Sequence, residues 1–182
     1  ITVTANRDLV VVGNFETAGG VAARGVARWD GTTWSPLGLG FAPYPATNLQ
    51  AVAELPNGDI VIGGSFGSTS GVYSGLARWD GASWSAIPGI APQGGYATVA
   101  ALLTLPSGDL LVGGNFTTAG GMTVNSLARW DGTNWHDTGG GVTNSSGAAG
   151  SVLTLTQLPG GSIAVGGRFL FGGGILANHI AR

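Results

Sequence analysis

Apolar residues in this chain come in short runs broken by paired glycines, not in clean alternation. DIVIGGSF at 59–66, DLLVGGNF at 109–116 and SIAVGGRF at 162–169 each begin with a polar residue followed by three apolar ones. Consecutive apolar positions over so short a span predict strands buried on both faces. Before each run stands a turn signal: LPNGD at 55–59, LPSGD at 105–109 and LPGGS at 158–162. Asn57-Gly58 predicts a type I′ hairpin, joining the stretch Val52–Leu55 to the run that follows. Further on, LARW at 76–79 predicts a third strand. Asp80-Gly81 turns the chain, and Trp84 opens a fourth.

The pattern is periodic. Phe15, Phe66, Phe116 and Phe169 close the four glycine-bearing runs at spacings of 51, 50 and 53 residues. Arg28, Arg78, Arg129 and Arg182 repeat at 50, 51 and 53. The chain is therefore one unit of about fifty residues written almost four times, at approximately 1–50, 51–98, 99–150 and 151–182. The first copy has drifted, reading TANRD at 4–8 where the others carry LPNGD and its relatives. The last stops at Arg182, before a Trp-Asp-Gly, so it is expected to lack its outer strand. A four-stranded sheet with two apolar faces needs a neighbour on each side. Stacking such sheets around an axis supplies them, which predicts an all-β fold, a β-propeller of four-stranded antiparallel repeats. A linear stack would leave two apolar end faces to be capped.

All six tryptophans fall in the repeated segments VARWDGTTW, LARWDGASW and LARWDGTNW. Side chains alternate along a strand, so Trp29, Trp79 and Trp130 point away from the face carrying the arginine and aspartate beside them. They, with Trp34, Trp84 and Trp135, are expected in the seams between successive sheets. A buried indole of ~200 Å² contributes roughly 5 kcal/mol. Such anchors offset the glycines, which cost ~0.5–1 kcal/mol each in a strand relative to alanine.

VIGG at 61–64, LVGG at 111–114 and AVGG at 164–167, followed in the second and third units by RWDGASW and RWDGTNW, resemble the kelch and galactose-oxidase type of propeller repeat. The GG-x-F and A-R-W-D-G variants are similar to repeats of secreted bacterial propellers of the delta-60 and Rax2-like kind. The resemblance implies a propeller without fixing a chemistry. The copper chemistry of galactose oxidase needs tyrosine, histidine and a thioether-forming cysteine. This chain has no cysteine, and its two histidines, His136 and His179, stand alone.

Composition narrows the function classes. Glycine is 35 of 182 residues, nearly three times the usual ~7% share. A net charge of −2, with seven basic residues and no lysine, gives no electrostatic footprint for nucleic acid. No apolar run approaches the ~20 residues of a membrane-spanning helix. No Walker loop, HExxH, EF-hand or nucleophile-elbow pattern is present. The aspartates at 30, 80 and 131 are read as turn residues, and Arg28, Arg78 and Arg129 as partners of the aspartate two positions on. No cofactor and no metal site are expected.

In a meander the turns after the first and third strands lie on one side and the loops after the second and fourth on the other. The latter are longer and more divergent, and function concentrates on such loops. Phe41, Tyr44 and Tyr96 are the aromatic residues placed there, and so the candidate contact surface. The resulting expectation is a non-catalytic binding or scaffold module of a secreted or cell-surface protein, taking a protein or glycan ligand and able to self-associate to complete its propeller. The alternatives are a structural subunit of an extracellular filament or sheath, or a glycan-active enzyme whose carboxylates come from variable loops; against the enzyme, Glu16 and Glu54 are the only glutamates and Asp137 the only aspartate outside the repeated turns.

Overall fold

Each apolar–glycine run forms the second strand of an antiparallel sheet. The computed structural model describes residues 1–41, 48–67, 74–91 and 97–182, which are all-β with no helix. The first sheet has the order β1 (Thr2–Val3), β2 (Leu9–Val12), β5 (Val26–Trp29), β6 (Trp34–Pro36). Between β2 and β5 lies a small hairpin, β3 (Thr17–Ala18) and β4 (Val21–Ala22). The second sheet is β7 (Asn48–Glu54), β8 (Ile60–Gly67), β9 (Ser74–Trp79) and β10 (Trp84–Ala86). The third is β12 (Thr98–Thr104), β13 (Leu110–Asn115), β16 (Leu127–Trp130) and β17 (Trp135–Asp137). The fourth has three strands, β19 (Ser151–Gln157), β20 (Ile163–Arg168) and β23 (Ile180–Ala181).

Two further ribbons cross between units. Strand β11 (Ile90–Ala91), from the segment after the second sheet, pairs with the hairpin β14 (Thr118–Ala119) and β15 (Met122–Thr123) of the third unit. Strand β18 (Val142–Thr143) pairs likewise with β21 (Phe171–Gly172) and β22 (Ile175–Leu176) of the fourth. The segments after second and fourth strands thus share one side of the molecule, as the meander requires. They are not open loops, however, but short paired strands.

Three apolar clusters sit between successive sheets. Val10 and Val26 of the first sheet meet Ile60, Ile62 and Trp79 of the second. Val61 and Leu76 meet Leu110, Val112 and Trp130 of the third. Leu111 and Leu127 meet Val165 and, less buried, Ile163 of the fourth. The second strands of the second and third sheets, β8 and β13, therefore split their consecutive apolar residues between two seams. Alternating side chains make this possible.

The paired glycines have a specific cause. The first, inner strands of the second, third and fourth sheets carry β-bulges, with register shifts between Leu49 and Ala51, Val99 and Ala101, and Val152 and Thr154. The glycine pairs 63–64, 113–114 and 166–167 lie opposite those bulges. A Cβ on Gly63 would sit 2.6 Å from Cγ1 of Val99 in the next sheet, and one on Gly113 2.5 Å from Cγ1 of Val152. Glycine here lets the neighbouring inner strand approach.

The hairpin at Asn57-Gly58 differs from the type I′ expectation. Gly58 donates to the Leu55 carbonyl (2.9 Å) and Leu55 to that of Asp59 (2.8 Å), with Gly58 at φ 87° and Asn57 outside the positive-φ region. Pro56 presets the φ of a common turn instead, and glycine follows as a left-handed bulge residue. In the drifted first copy Arg7 holds that left-handed position, at φ 67°.

Candidate binding surfaces

The charged repeat positions are spent on the scaffold. Arg28 binds Asp8, Arg78 binds Asp59 and Arg129 binds Asp109. The partner is the aspartate at the head of the adjacent strand, not the expected one two residues on. Pairing of Val10 with Arg28 brings Asp8 diagonally beside the guanidinium. The aspartates at 30, 80 and 131 are occupied by their own turns. Asp30 Oδ1 accepts from the backbone N–H of Thr32 and Thr33, both 2.8 Å away. Asp80 does the same with Ala82 and Ser83, and Asp131 with Thr133 and Asn134. These bonds hold all three carboxyls below the usual carboxylate range. The N–H three residues on is the leading cause each time. At the fourth unit Ser162 replaces the aspartate, and Arg182 donates to its hydroxyl at 3.0 Å.

The remaining candidates are also tied to local structure. Asp137 accepts from the N–H groups of Gly139 and Gly140 at 3.0–3.1 Å. Glu54 accepts from Ala5 N–H. His136 Nε2 lies 2.7 Å from Asp131 Oδ2 on the exposed turn. His179 occupies a left-handed backbone position, φ 77°, matching Gly25, Gly75 and Ser126 in the other units. Among the described residues no three His, Asp or Glu side chains converge as a metal site.

Phe41 is not a contact residue. It is 3% exposed and packs edge-on against Phe66 (4.9 Å) and Trp84 (5.0 Å) in the first seam. Its apolar ring finds more cover there than on the rim. Tyr44 and Tyr96 lie outside the described residues. Of the expected anchors, Trp79, Trp84, Trp130 and Trp135 pack in the seams. Trp29 and Trp34 pack against each other, ring centroids 5.3 Å apart and planes tilted by 42°, on the face of the first sheet turned away from the second.

Concavities occur among the described residues. A groove of about 480 Å³ opens at the outer edge of the second seam, between Arg78, Ser85 and Pro88 on one side and Trp130, Thr133 and Trp135 on the other. A smaller depression of about 180 Å³ lies where the inner strands converge. The bulged positions Gln50, Ala100 and Leu153 line it, together with Ile1. Residue type alone did not mark those three, but the double glycine opposite each bulge is a readable signal.

No protein-family model and no curated protein matches this chain. Solved structures do. The extracellular domain of BT4673 from B. thetaiotaomicron, described as a hybrid two component system, aligns over 91% of this chain with a TM-score of 0.54 and 14% identity. A second structure of that domain, described as a one component system, aligns over 91% with a TM-score of 0.54 and 15% identity. The chain spans about a fifth of the length of those structures, 19% and 20%. At this identity the likeness is one of fold. Among the described residues no helix is long and apolar enough to cross a membrane, which says nothing of β-barrels.

Proposed function

We propose that the four sheets are blades of a β-propeller serving as a non-catalytic recognition or scaffold module of a secreted or cell-surface protein. The observation that carries this reading is the use of the aspartates. All seven hold either a turn backbone or a repeat arginine or serve as a local cap. Catalytic carboxylates need freedom to exchange protons with a substrate. Here the acidic residues are invested in repeat geometry, and the seams recur with the same positions. The extracellular setting of the BT4673 domain supports the proposed location.

The groove beside Trp130 and Trp135 suits a sugar ring or an aromatic peptide side chain. Its walls are largely apolar, with one guanidinium at the rim. The test is a glycan and peptide array, run alongside a polysaccharide hydrolysis panel. Saturable binding without turnover, weakened by Thr133→Arg in the groove, is the expected result. Turnover lost in Glu16→Gln or Asp137→Asn would overturn the reading. Glu16 is the one carboxylate whose side chain makes no bond among the described residues.

A further inference from the structure

The groove of the second seam lies between two complete sheets. Trp130, Thr133 and Trp135 of the third sheet face Arg78, Ser85 and Pro88 of the second unit. At about 480 Å³ it falls within the ~300–1,000 Å³ range of small-ligand pockets. Its apolar wall is held rigid. A Cβ on Gly89 would lie 2.8 Å from the indole nitrogen of Trp135, and one on Gly120 2.9 Å from the Cβ of that tryptophan. The backbone thus clamps the ring, which also donates to the Pro88 carbonyl. The first seam covers its tryptophans differently. Gly38 lies against the benzo ring of Trp79, and Phe41 against Trp84.

Several polar groups of the groove are unengaged. Thr133 matches Thr32 of the first unit, whose hydroxyl donates to Asp30 Oδ1 at 2.7 Å. The Thr133 hydroxyl makes no such bond and has no partner among the described residues. The indole N–H of Trp130 has no acceptor among them either, although that residue is only 7% exposed. Arg78 directs Nε and Nη2 to Asp59, which leaves Nη1 over. Ser85 Oγ donates to the Arg78 carbonyl at 3.4 Å and keeps its acceptor sites. Arg78 is the one charged side chain among the described residues lining the groove, and Asp59 balances it.

An occupant must lay an apolar face on the indoles, bring several donor–acceptor groups round its edge, and carry no charge. The side chain of Phe, Tyr or Trp has at most one polar atom, so it would leave most of these groups desolvated and unpaired. A carboxylate or phosphate would meet a guanidinium already neutralised. A pyranose ring has C–H groups on its faces and hydroxyls around its rim, each both donor and acceptor. We propose that the groove binds a neutral hexose unit of a glycan, its ring against Trp130 and Trp135 and its hydroxyls shared among Thr133, Ser85 and Arg78. This rests on the reading of the chain as a recognition module and gives that module its ligand class.

The test is titration calorimetry and tryptophan fluorescence of the 182-residue chain against soluble gluco-, manno- and galacto-oligosaccharides. Oligogalacturonate and Phe- and Tyr-containing tetrapeptides are run beside them. Saturable binding of a neutral oligosaccharide, stronger than that of oligogalacturonate, is expected. Thr133→Val removes the hydroxyl at constant shape, and Ser85→Ala removes another. Each should weaken binding by about fivefold, the worth of one neutral hydrogen bond. Thr133→Arg obstructs the groove and should abolish binding. Thr32→Val, at the matching position of the first unit, should leave it unchanged. Thr32, Ser85 and Thr133 are exposed, so the variants keep the core intact, and urea midpoints check this. Absence of binding by every neutral oligosaccharide overturns the proposal. So does binding that neither Thr133 variant alters, because the sugar would then lie elsewhere. Peptide binding without sugar binding overturns the ligand class and leaves the recognition module standing. Hydrolysis of a glycan held in the groove overturns the non-catalytic reading and leaves the sugar site standing.

Discussion

The indole nitrogen of Trp135 donates to the carbonyl oxygen of Pro88 at 2.9 Å, reaching back 47 residues into the preceding unit. Trp84 makes the matching reach to Leu37, at 3.4 Å. The second tryptophan of a unit therefore contributes both buried area and a polar tie to its neighbour. Trp135→Phe keeps most of the area and leaves the Pro88 carbonyl without its donor, at a cost of about 1–2 kcal/mol. Trp135→Ala should cost about 3–5 kcal/mol. Trp34, whose N–H has no acceptor among the described residues, should lose less on change to Phe. Urea denaturation of the three variants, compared at constant m, measures the differences.

Gly113 and Gly166 are equivalent in the repeat but not in their surroundings. Alanine at 113 collides with Val152 of the next sheet, which is fixed in a seam, and should destabilise by about 1–3 kcal/mol. Alanine at 166 meets only Cγ2 of Thr154 at 2.8 Å, and that side chain can turn away. Its cost should be less than half as large. The same denaturation curves distinguish the two. Equal losses would show that backbone preference, not close approach, explains the double glycine.

Arg7 stands at φ 67° where the other units use glycine. It is exposed, and its side chain makes no hydrogen bond among the described residues. A left-handed conformation costs a non-glycine residue roughly 1–2 kcal/mol, partly offset by the larger entropy glycine loses on folding. Arg7→Gly should therefore stabilise the protein by about 0.5–1 kcal/mol. A raised thermal midpoint at pH 7 is the readout.

The depressed carboxyls of Asp30, Asp80 and Asp131 give a sign to acid sensitivity. Because their folded values lie below the ordinary 3.8, the unfolded chain takes up protons first as pH falls. Their contribution is complete well above that value and is lost progressively beneath it. Urea midpoints should hold steady down to about pH 5 and then drop. The triple Asp→Asn variant at these positions should start lower and fall less steeply.

The sequence made the sheets legible because period, turn and tryptophan all agree in each copy. The unit length, the four-strand order and the three-stranded last sheet all follow from spacing. Two features were hidden for physical reasons. The arginine partners could not be read from neighbours in sequence, because the antiparallel register decides them and brings Asp8 to Arg28 from 20 residues away. The aromatic rim failed at Phe41 because a variable loop position says nothing of burial, and the Phe41 ring turns inward to fill the first seam. The short ribbons went unseen for another reason. Thr118–Ala119 and Ile90–Ala91 are too short and too bland to signal strands, and they form only because the neighbouring unit supplies the partner.

Those ribbons put the written repeat and the cooperative repeat out of phase. The stretch after Trp84 belongs by sequence to the second unit, yet Ile90 is knitted to Ala119 of the third. A cut at 98/99 or at 150/151 would strip a ribbon strand from its hairpin in the next unit and leave raw edges on both. Shortening or lengthening this array by whole modules must therefore carry each ribbon strand along with the hairpin that follows it.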